Sequence, residues 1–274
     1  MNYRHSYHAG NFADVFKHTI LVALIESLKN KPKPFCYLDT HAGCGQYDLQ
    51  SAEALKTHEY KSGIAKILKA NNPPEMIQKY LAICADKGSH FYPGSPEITR
   101  SLLRLEDRMI LSELHPTDFQ TLKNHFYKDR QVAVHQQDAW QSLKAFLPPK
   151  ERRGLILIDP PYEQSDELLT LAEKIAPGLK RFETGIFAIW YPIKRNMPLN
   201  AFHRTCKETI SLPMLRVDMT LWPEDGAATL NGCGMLIINP PWQFDLTLKS
   251  FLPWLWEHLS PQQQGQLYFS NIDF

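Results

Sequence analysis

The chain has 274 residues, 43% of them hydrophobic, and a formal net charge of +1. That length suits one large α/β domain carrying a small insertion better than two full domains, and the near-neutral charge excludes a nucleic-acid binder working through a global excess of cations. Any basic footprint has to be local.

The opening stretch MNYRHSYHAGN is polar and aromatic, without the apolar centre of a signal peptide, and no run of about 18 apolar residues follows it. A soluble, cytoplasmic, membrane-free protein is expected. Cys36, Cys44, Cys84, Cys206 and Cys233 form no CxxC pair and no zinc spacing, and their odd number argues against a disulfide framework. They read as reduced thiols. From Phe12 to about Leu28 the apolar residues Phe12, Phe16, Ile20, Leu24 and Leu28 recur every fourth position, which predicts a helix with one apolar face. Phe35 to Leu38 is a short apolar strand leading into Asp39-Thr40-His41-Ala42-Gly43-Cys44-Gly45, a strand and glycine-rich loop that open a Rossmann-like sheet.

In a simple doubly wound domain the second strand comes about 20 residues after such a loop. Here residues 51–91 intervene, with two helical patterns separated by Asn71-Asn72-Pro73-Pro74-Glu75, and they read as a helical insertion between 1–50 and 92–274. Three apolar runs then end at acidic residues: Met109 to Leu111 before Glu113, Val132 to Val134 before Asp138, and Leu155 to Ile158 before Asp159. Parallel strands buried on both faces, with carboxyl ends opening into a ligand crevice, have this form. An amphipathic helix at roughly 166–177 and a strand Ile186 to Trp190 follow. The segments Met214 to Trp222 and Gly234 to Ile238, joined by a polar loop, read as a last strand pair, open to antiparallel pairing.

The segment Asp159-Pro160-Pro161-Tyr162 carries the chemistry. An adenine amino nitrogen is a poor nucleophile because its lone pair is delocalised into the ring, so acceptors must hold its N–H bonds while a methyl group approaches. A carboxylate supplies one acceptor, and the Pro160 carbonyl, fixed by two restricted φ angles, supplies another. Tyr162 offers a face on which an extruded base can stack. A turn after a strand is the plainer reading of the tetrapeptide; the acidic strand end downstream of a glycine loop favours the catalytic one. Asn239-Pro240-Pro241-Trp242 has similar form, but it follows the final hairpin and reads as a strand-end turn with a packed Trp.

The loop after Asp39 is not a dinucleotide fingerprint, because the third glycine of G-x-G-x-x-G falls on Asp48. A cofactor without a pyrophosphate is expected, with Glu113 placed to accept ribose hydroxyls and Asp138 to meet an adenine ring. Taken singly, each acidic strand terminus is more often a helix cap or turn residue; taken together, they make a coherent pocket. The histidines show no metal-ligand spacing, so no metal is expected, and Cys44 has no nearby base to make it a nucleophile.

The run Tyr3-Arg4-His5-Ser6-Tyr7-His8-Ala9-Gly10-Asn11 with Asp14 and Lys17-His18, the Leu38 to Gly43 loop, Tyr92-Pro93-Gly94-Ser95-Pro96, Glu113-Leu114-His115-Pro116, Arg153 to Tyr162, and Trp190-Tyr191-Pro192 together resemble the RlmJ family of 23S ribosomal RNA adenine-N6 methyltransferases. These blocks run through nearly the whole chain. The resemblance implies a class I, Rossmann-like S-adenosylmethionine-dependent methyltransferase fold with a small helical insertion, acting on one adenine of 23S rRNA and releasing S-adenosylhomocysteine; a monomer is expected, though sequence does not fix the oligomeric state. Carried over by motif, it implies cofactor contacts from His18, His41, Ser95, Glu113, Asp138 with Ala139, and Asp159, and catalysis by Asp159, Pro160 and Tyr162. Residues 1–11 become a tail closing over the adenine, with Tyr3, His5 and Lys17 on the substrate. Two departures are small: Cys44 stands where the family more often has Ala, and Ala139 where Gly is common.

From residue chemistry alone, Lys17 serves equally as a solvated helix lysine or as a cation for the methionyl carboxylate or the RNA backbone. Among the basic clusters, Lys194 with Arg195 at a strand's carboxyl edge is the first candidate for phosphate contact, ahead of Lys150, Arg152, Arg153, Lys180 and Arg181. The competing readings are an adenine-N6 methyltransferase acting on DNA, a methyltransferase for a glutamine amide, and a catalytically inactive RNA-binding module of the same fold.

Overall fold

A computed structural model describes residues 4–88, 90–163, 166–195, 197–223, 230–260 and 263–272. The chain enters through a 3-10 turn at His5–Tyr7 into α1 (Phe12–Lys29). Asn11 caps that helix, its side chain accepting the Asp14 N–H at 2.9 Å, a contact worth about 1 kcal/mol. β1 (Cys36–Asp39) and β2 (Gln46–Asp48) follow, then α2 (Ala52–Thr57), α3 (Ile64–Ile67), α4 (Glu75–Asp86) and β3 (Phe91–Pro93). β3 returns antiparallel onto β2, with Tyr92 opposite Tyr47.

Strands and helices then alternate through α5 (Ser95–Leu102), β4 (Arg108–Ser112), α6 (Pro116–His125), β5 (Val132–His135), α7 (Ala139–Phe146), β6 (Gly154–Ile158), α8 (Glu167–Arg181), β7 (Ile186–Ile193) and α9 (Leu199–Thr209). The chain closes with β8 (Met214–Thr220), β9 (Gly232–Ile238), α10 (Phe244–Lys249), α11 (Leu252–Leu259) and β10 (Leu267–Ile272).

The main sheet has the order β10-β8-β9-β7-β6-β1-β4-β5. β1 lies between β4 and β6, parallel to both, so the strand order reverses at β1 and opens a crevice at the carboxyl ends there. β9 inserts antiparallel between β7 and β8. This is the class I methyltransferase arrangement. Alternation along the strands builds a core on each face: Leu155 and Leu157 of β6 pack with α1, whereas Ile156 and Ile158 pack with α8 and α9.

Four features differ from the sequence reading. α1 is buried nearly all round, because the sheet covers one side while α4, α5, α10 and α11 cover the others; the fourfold spacing marked only one of its buried faces. β5 is half-buried along its length, since it is the edge strand with a single neighbour. α9 and β10 were not anticipated, and β10 pairs antiparallel with β8, extending the sheet on that side. Asn239-Pro240-Pro241-Trp242 does form a turn, but Trp242 is 89% exposed rather than packed. Because β9 runs antiparallel to β7, with Ile238 opposite Phe187, that turn lies at the sheet edge opposite Asp159.

Candidate active site

At the carboxyl edge, Asp39 ends β1, Glu113 follows β4, Asp138 follows β5 and Asp159 follows β6. Glu113, Asp138 and Asp159 line a cavity of about 700 Å³, roofed on the α1 side by His5, Asp14, Lys17 and His18, while Asp39 lies buried behind its wall. Its volume lies within the few hundred to a thousand Å³ usual for cofactor sites.

Two glycines shape the loop after β1. Gly43 and Gly45 take φ values of 61° and 86°, the left-handed region that side chains avoid. A Cβ at Gly43 would also lie 2.3 Å from the Tyr47 hydroxyl. The freed Gly43 N–H donates to Glu113 Oε2 at 2.8 Å and the His115 N–H to Oε1 at 2.7 Å. Burial nevertheless raises the Glu113 carboxyl above its usual range, against those two donors. Asp39 is fully buried and likewise raised by burial; it accepts the hydroxyls of Tyr37 and Ser95, each at 2.7 Å. Ser95, the first residue of α5, therefore reaches the cavity wall tied to the end of β1.

His41 and His18 are held neutral. Burial lowers His41 to about 4, and its Nδ1 lies 2.9 Å from the Thr40 hydroxyl. That hydroxyl also lies 3.0 Å from the Leu157 carbonyl, which ties His41 to the end of β6. Burial takes His18 to about 3, with Nδ1 2.7 Å from the Tyr92 hydroxyl and Tyr80 behind it at 2.9 Å. Asp138 caps α7, its Oδ1 accepting the N–H groups of Trp140 at 2.9 Å and Gln141 at 3.2 Å, while it and Ala139 line the cavity. Helix cap and cavity wall are thus the same residue.

The Asp159 corner is built across the whole chain. Pro160 and Pro161 lack N–H groups and stop strand pairing after Ile158, and Tyr162 turns the chain with φ 49°. Asp159 Oδ2 meets Lys17 Nζ at 2.5 Å, and the same Nζ lies 3.0 Å from Asp14 Oδ1. Burial alone would discharge Lys17; Asp159 and Asp14 instead hold its pKa well above the ordinary lysine value. Lys17 is 5% exposed, so it is not a solvated helix lysine. Asp159 Oδ1 faces no hydrogen-bond partner among the described residues.

Asp14 ties the tail to this corner. Its Oδ2 accepts from His5 Nε2 and from the Gly10 N–H, both at 2.9 Å. Burial would raise its carboxyl, yet His5 and Lys17 hold it well below the usual range. Tyr3 lies outside the described residues. Further along the tail, Glu59 accepts from Asn11 Nδ2 at 3.0 Å and lies 2.9 Å from His8 Nδ1, joining the tail to the 52–67 helices.

Tyr162 differs from expectation. Its ring is 8% exposed, packed among α8 and α9 residues and absent from the cavity wall, and its hydroxyl donates to the Trp190 carbonyl at 2.6 Å. Of the aromatic residues in the wall, which also include Phe12, Tyr47, Trp140 and Trp222, Trp190 of β7 lies at this corner, its ring centroid 5.9 Å from Lys17 Nζ. Trp190 and Asp14 stand in the blocks that carry the family resemblance, but the sequence reading gives neither a role in the site. An acid three residues before a lysine on an otherwise apolar helix was the available signal for Asp14, since neither charge is tolerated there alone.

Carboxylates outnumber lysines in the cavity wall, eight to three. That balance suits a cationic cofactor and repels a pyrophosphate. With Glu113 held by two N–H donors at the cavity wall and carboxylates in excess around it, the residues present fit S-adenosylmethionine.

Comparison with known proteins agrees. The family profile described as "Ribosomal RNA large subunit methyltransferase D, RlmJ" matches residues 32–271. The chain is 43% identical to ribosomal RNA large subunit methyltransferase J of Escherichia coli K12 over 99% of both chains. To the protein of that name from Haemophilus influenzae it is 42% identical, over 97% of this chain and 96% of the other. A solved protein from Legionella pneumophila superposes with a TM-score of 0.87 at 36% identity, covering 96% of this chain and 98% of that one. The chain belongs to the RlmJ family of ribosomal RNA large subunit methyltransferases.

Proposed function

We propose that this protein transfers a methyl group from S-adenosylmethionine to the N6 amino group of an adenine in 23S rRNA. Family membership supports the methylation of large-subunit rRNA, and the Asp159 corner supports the adenine amino group as acceptor. In this reading 51–91 is the helical insertion, 1–50 and 92–274 form the methyltransferase domain, and residues 1–11 close over the base.

When bound, S-adenosylmethionine supplies an electrophilic methyl group. His18, His41, Ser95, Glu113, Asp138, Ala139 and Asp159 would hold it. Asp159 Oδ1 is available to accept one amino N–H of the base, and the Pro160 carbonyl to accept the other, which orients the nitrogen lone pair and removes a proton as the new N–C bond forms. Lys17 fixes the Asp159 carboxylate by its other oxygen, and Asp14, itself held by His5 and Gly10, fixes Lys17. Trp190 replaces Tyr162 as the face for base stacking, and Tyr162 positions Trp190 through its backbone carbonyl.

The observation that carries this reading is a strand-end carboxylate with one oxygen locked on a buried lysine and the other free in an acidic cavity. Incubation with isotopically labelled cofactor and unmodified 23S rRNA, followed by nuclease digestion and mass spectrometry, tests it. N6-methyladenosine at one site is expected; label in another base, or none, would overturn it.

A further inference from the structure

The acidic cavity raises a question about substrate affinity. A wall with eight carboxylates against three lysines repels a phosphate backbone, so the RNA has to be held by cations elsewhere. Lys194 and Arg195 stand near the mouth, both exposed. A larger group of cations lies at the opposite edge of the sheet.

β6 lies between β1 and β7, and all three run in one direction, so the turns that precede them emerge side by side, roughly 4.8 Å apart per strand. The turn before β1 carries Lys31 and Lys33, the turn before β6 carries Lys150 and Arg152, and the end of α8 before β7 carries Lys180 and Arg181. All six are exposed, and none forms an ion pair among the described residues. The neighbouring cations are occupied: Arg104 donates to Asp107 and to the Lys31 and Lys33 carbonyls, Arg153 to the Leu28 and Lys33 carbonyls, and Arg108 to Glu151. The two guanidiniums on the 28–33 loop hold its backbone and leave the Lys31 and Lys33 side chains to solvent.

Between the β6 and β7 turns is a shallow cleft of about 280 Å³, lined by Arg152, Lys180 and Arg181 with Thr184 and a single carboxylate, Glu183. The dipole of α8 accounts for cations in its last turn. It does not account for Lys150 and Arg152 in the turn before a strand, nor for Lys31 and Lys33. In a chain with a net charge of +1, cations without an ion-pair partner among the described residues collect at this edge, while carboxylates predominate in the cavity wall at the other.

We infer that this edge is a second RNA-docking surface, with the Arg152–Lys180–Arg181 cleft seating a backbone phosphate of a part of the rRNA remote from the target base. The inference rests on the rRNA substrate proposed above. A surface of this kind positions without reading sequence, so its loss weakens binding to long RNA and leaves the chemical step alone.

The test uses the full chain with Arg152→Gln, Lys180→Gln and Arg181→Gln combined, against an unmodified 23S rRNA transcript and a short stem-loop that the parent protein methylates. The expected result is a KM for the transcript raised roughly ten-fold, a salt dependence of filter binding shallower by about two to three in log–log slope, and unchanged kcat and unchanged stem-loop kinetics. An unchanged KM and slope on the transcript would overturn the inference, as would equal losses on both RNAs. Should the triple variant melt early, Lys31→Gln, Lys33→Gln and Lys150→Gln combined reads the same surface through different turns. Failure of the parent protein to methylate either RNA would strike the substrate assignment instead, and filter retention of the transcript would still decide the surface.

Discussion

Replacing Asp159 by asparagine keeps the side chain's size and an acceptor oxygen and removes its charge, so it separates chemistry from architecture. Loss of the carboxylate that receives the amino proton is expected to slow methyl transfer at least ~100-fold, about 2.7 kcal/mol in barrier height. The structural cost is smaller. Lys17 loses a charged partner at 2.5 Å but keeps Asp14 at 3.0 Å, and the asparagine carbonyl still accepts its proton. A hydrogen bond to a charged group contributes about 1.5–3 kcal/mol, so a net loss of about 1–2 kcal/mol is expected, lowering Tm by roughly 2–8 °C in a domain of this size. Single-turnover methyl transfer, cofactor affinity by calorimetry and a thermal melt read the three quantities separately. Turnover within a few-fold of the parent would refute the catalytic role, and a loss of turnover matched by a loss of cofactor affinity would reduce Asp159 to a cofactor ligand.

Trp190→Leu is expected to raise KM for rRNA about ten-fold or more, on the scale of a lost base–aromatic stack, whereas Tyr162→Phe removes only the hydroxyl bond to the Trp190 carbonyl, at about 1 kcal/mol of stability. Steady-state kinetics giving the opposite ranking would restore Tyr162 as the stacking face. Removing the residues before Asn11 deletes His5 and the Gly10 N–H from Asp14 and is expected to impair methylation far more than cofactor affinity; equal losses would leave the tail without a substrate role. Stability should fall as pH drops from about 6.5 towards 4: His18, His41 and the buried His203 of α9, lowered by burial to about 3, 4 and 4, stay neutral in the folded chain while an unfolded histidine takes a proton, each contributing up to about 1.4 kcal/mol per pH unit. Asp39 and Glu113, raised by burial, oppose this with two groups against three, and urea melts at pH 7, 6 and 5 showing flat or rising stability would contradict it.

The legible parts of this protein were those whose signal is local. A buried strand shows as an apolar run, and its carboxyl end shows as the acid that stops it, so β1, β4 and β6 and the carboxylates beyond them could be read directly from sequence. Features set by partners far along the chain could not. Lys17 looks like any helix lysine until β6 brings Asp159 to it from 142 positions away. Trp190 faces the cavity because of how β7 pairs with β6 and β9, and Tyr162 turns inward because its left-handed backbone aims the ring at the core. Strand direction misled in the same way for Asn239-Pro240-Pro241-Trp242: the tetrapeptide has the right form, but on an antiparallel strand it emerges at the wrong edge. β10 needed knowledge that β8 had an unpaired side to cover.

Diffraction from crystals grown with S-adenosylmethionine bears most directly on the proposed chemistry. The transferable methyl is expected to point at the corner formed by Asp159, Pro160 and Trp190, with the ribose on Glu113. A methyl directed at the glycine loop or at solvent would contradict the assignment of Asp159 as the acceptor of the amino proton.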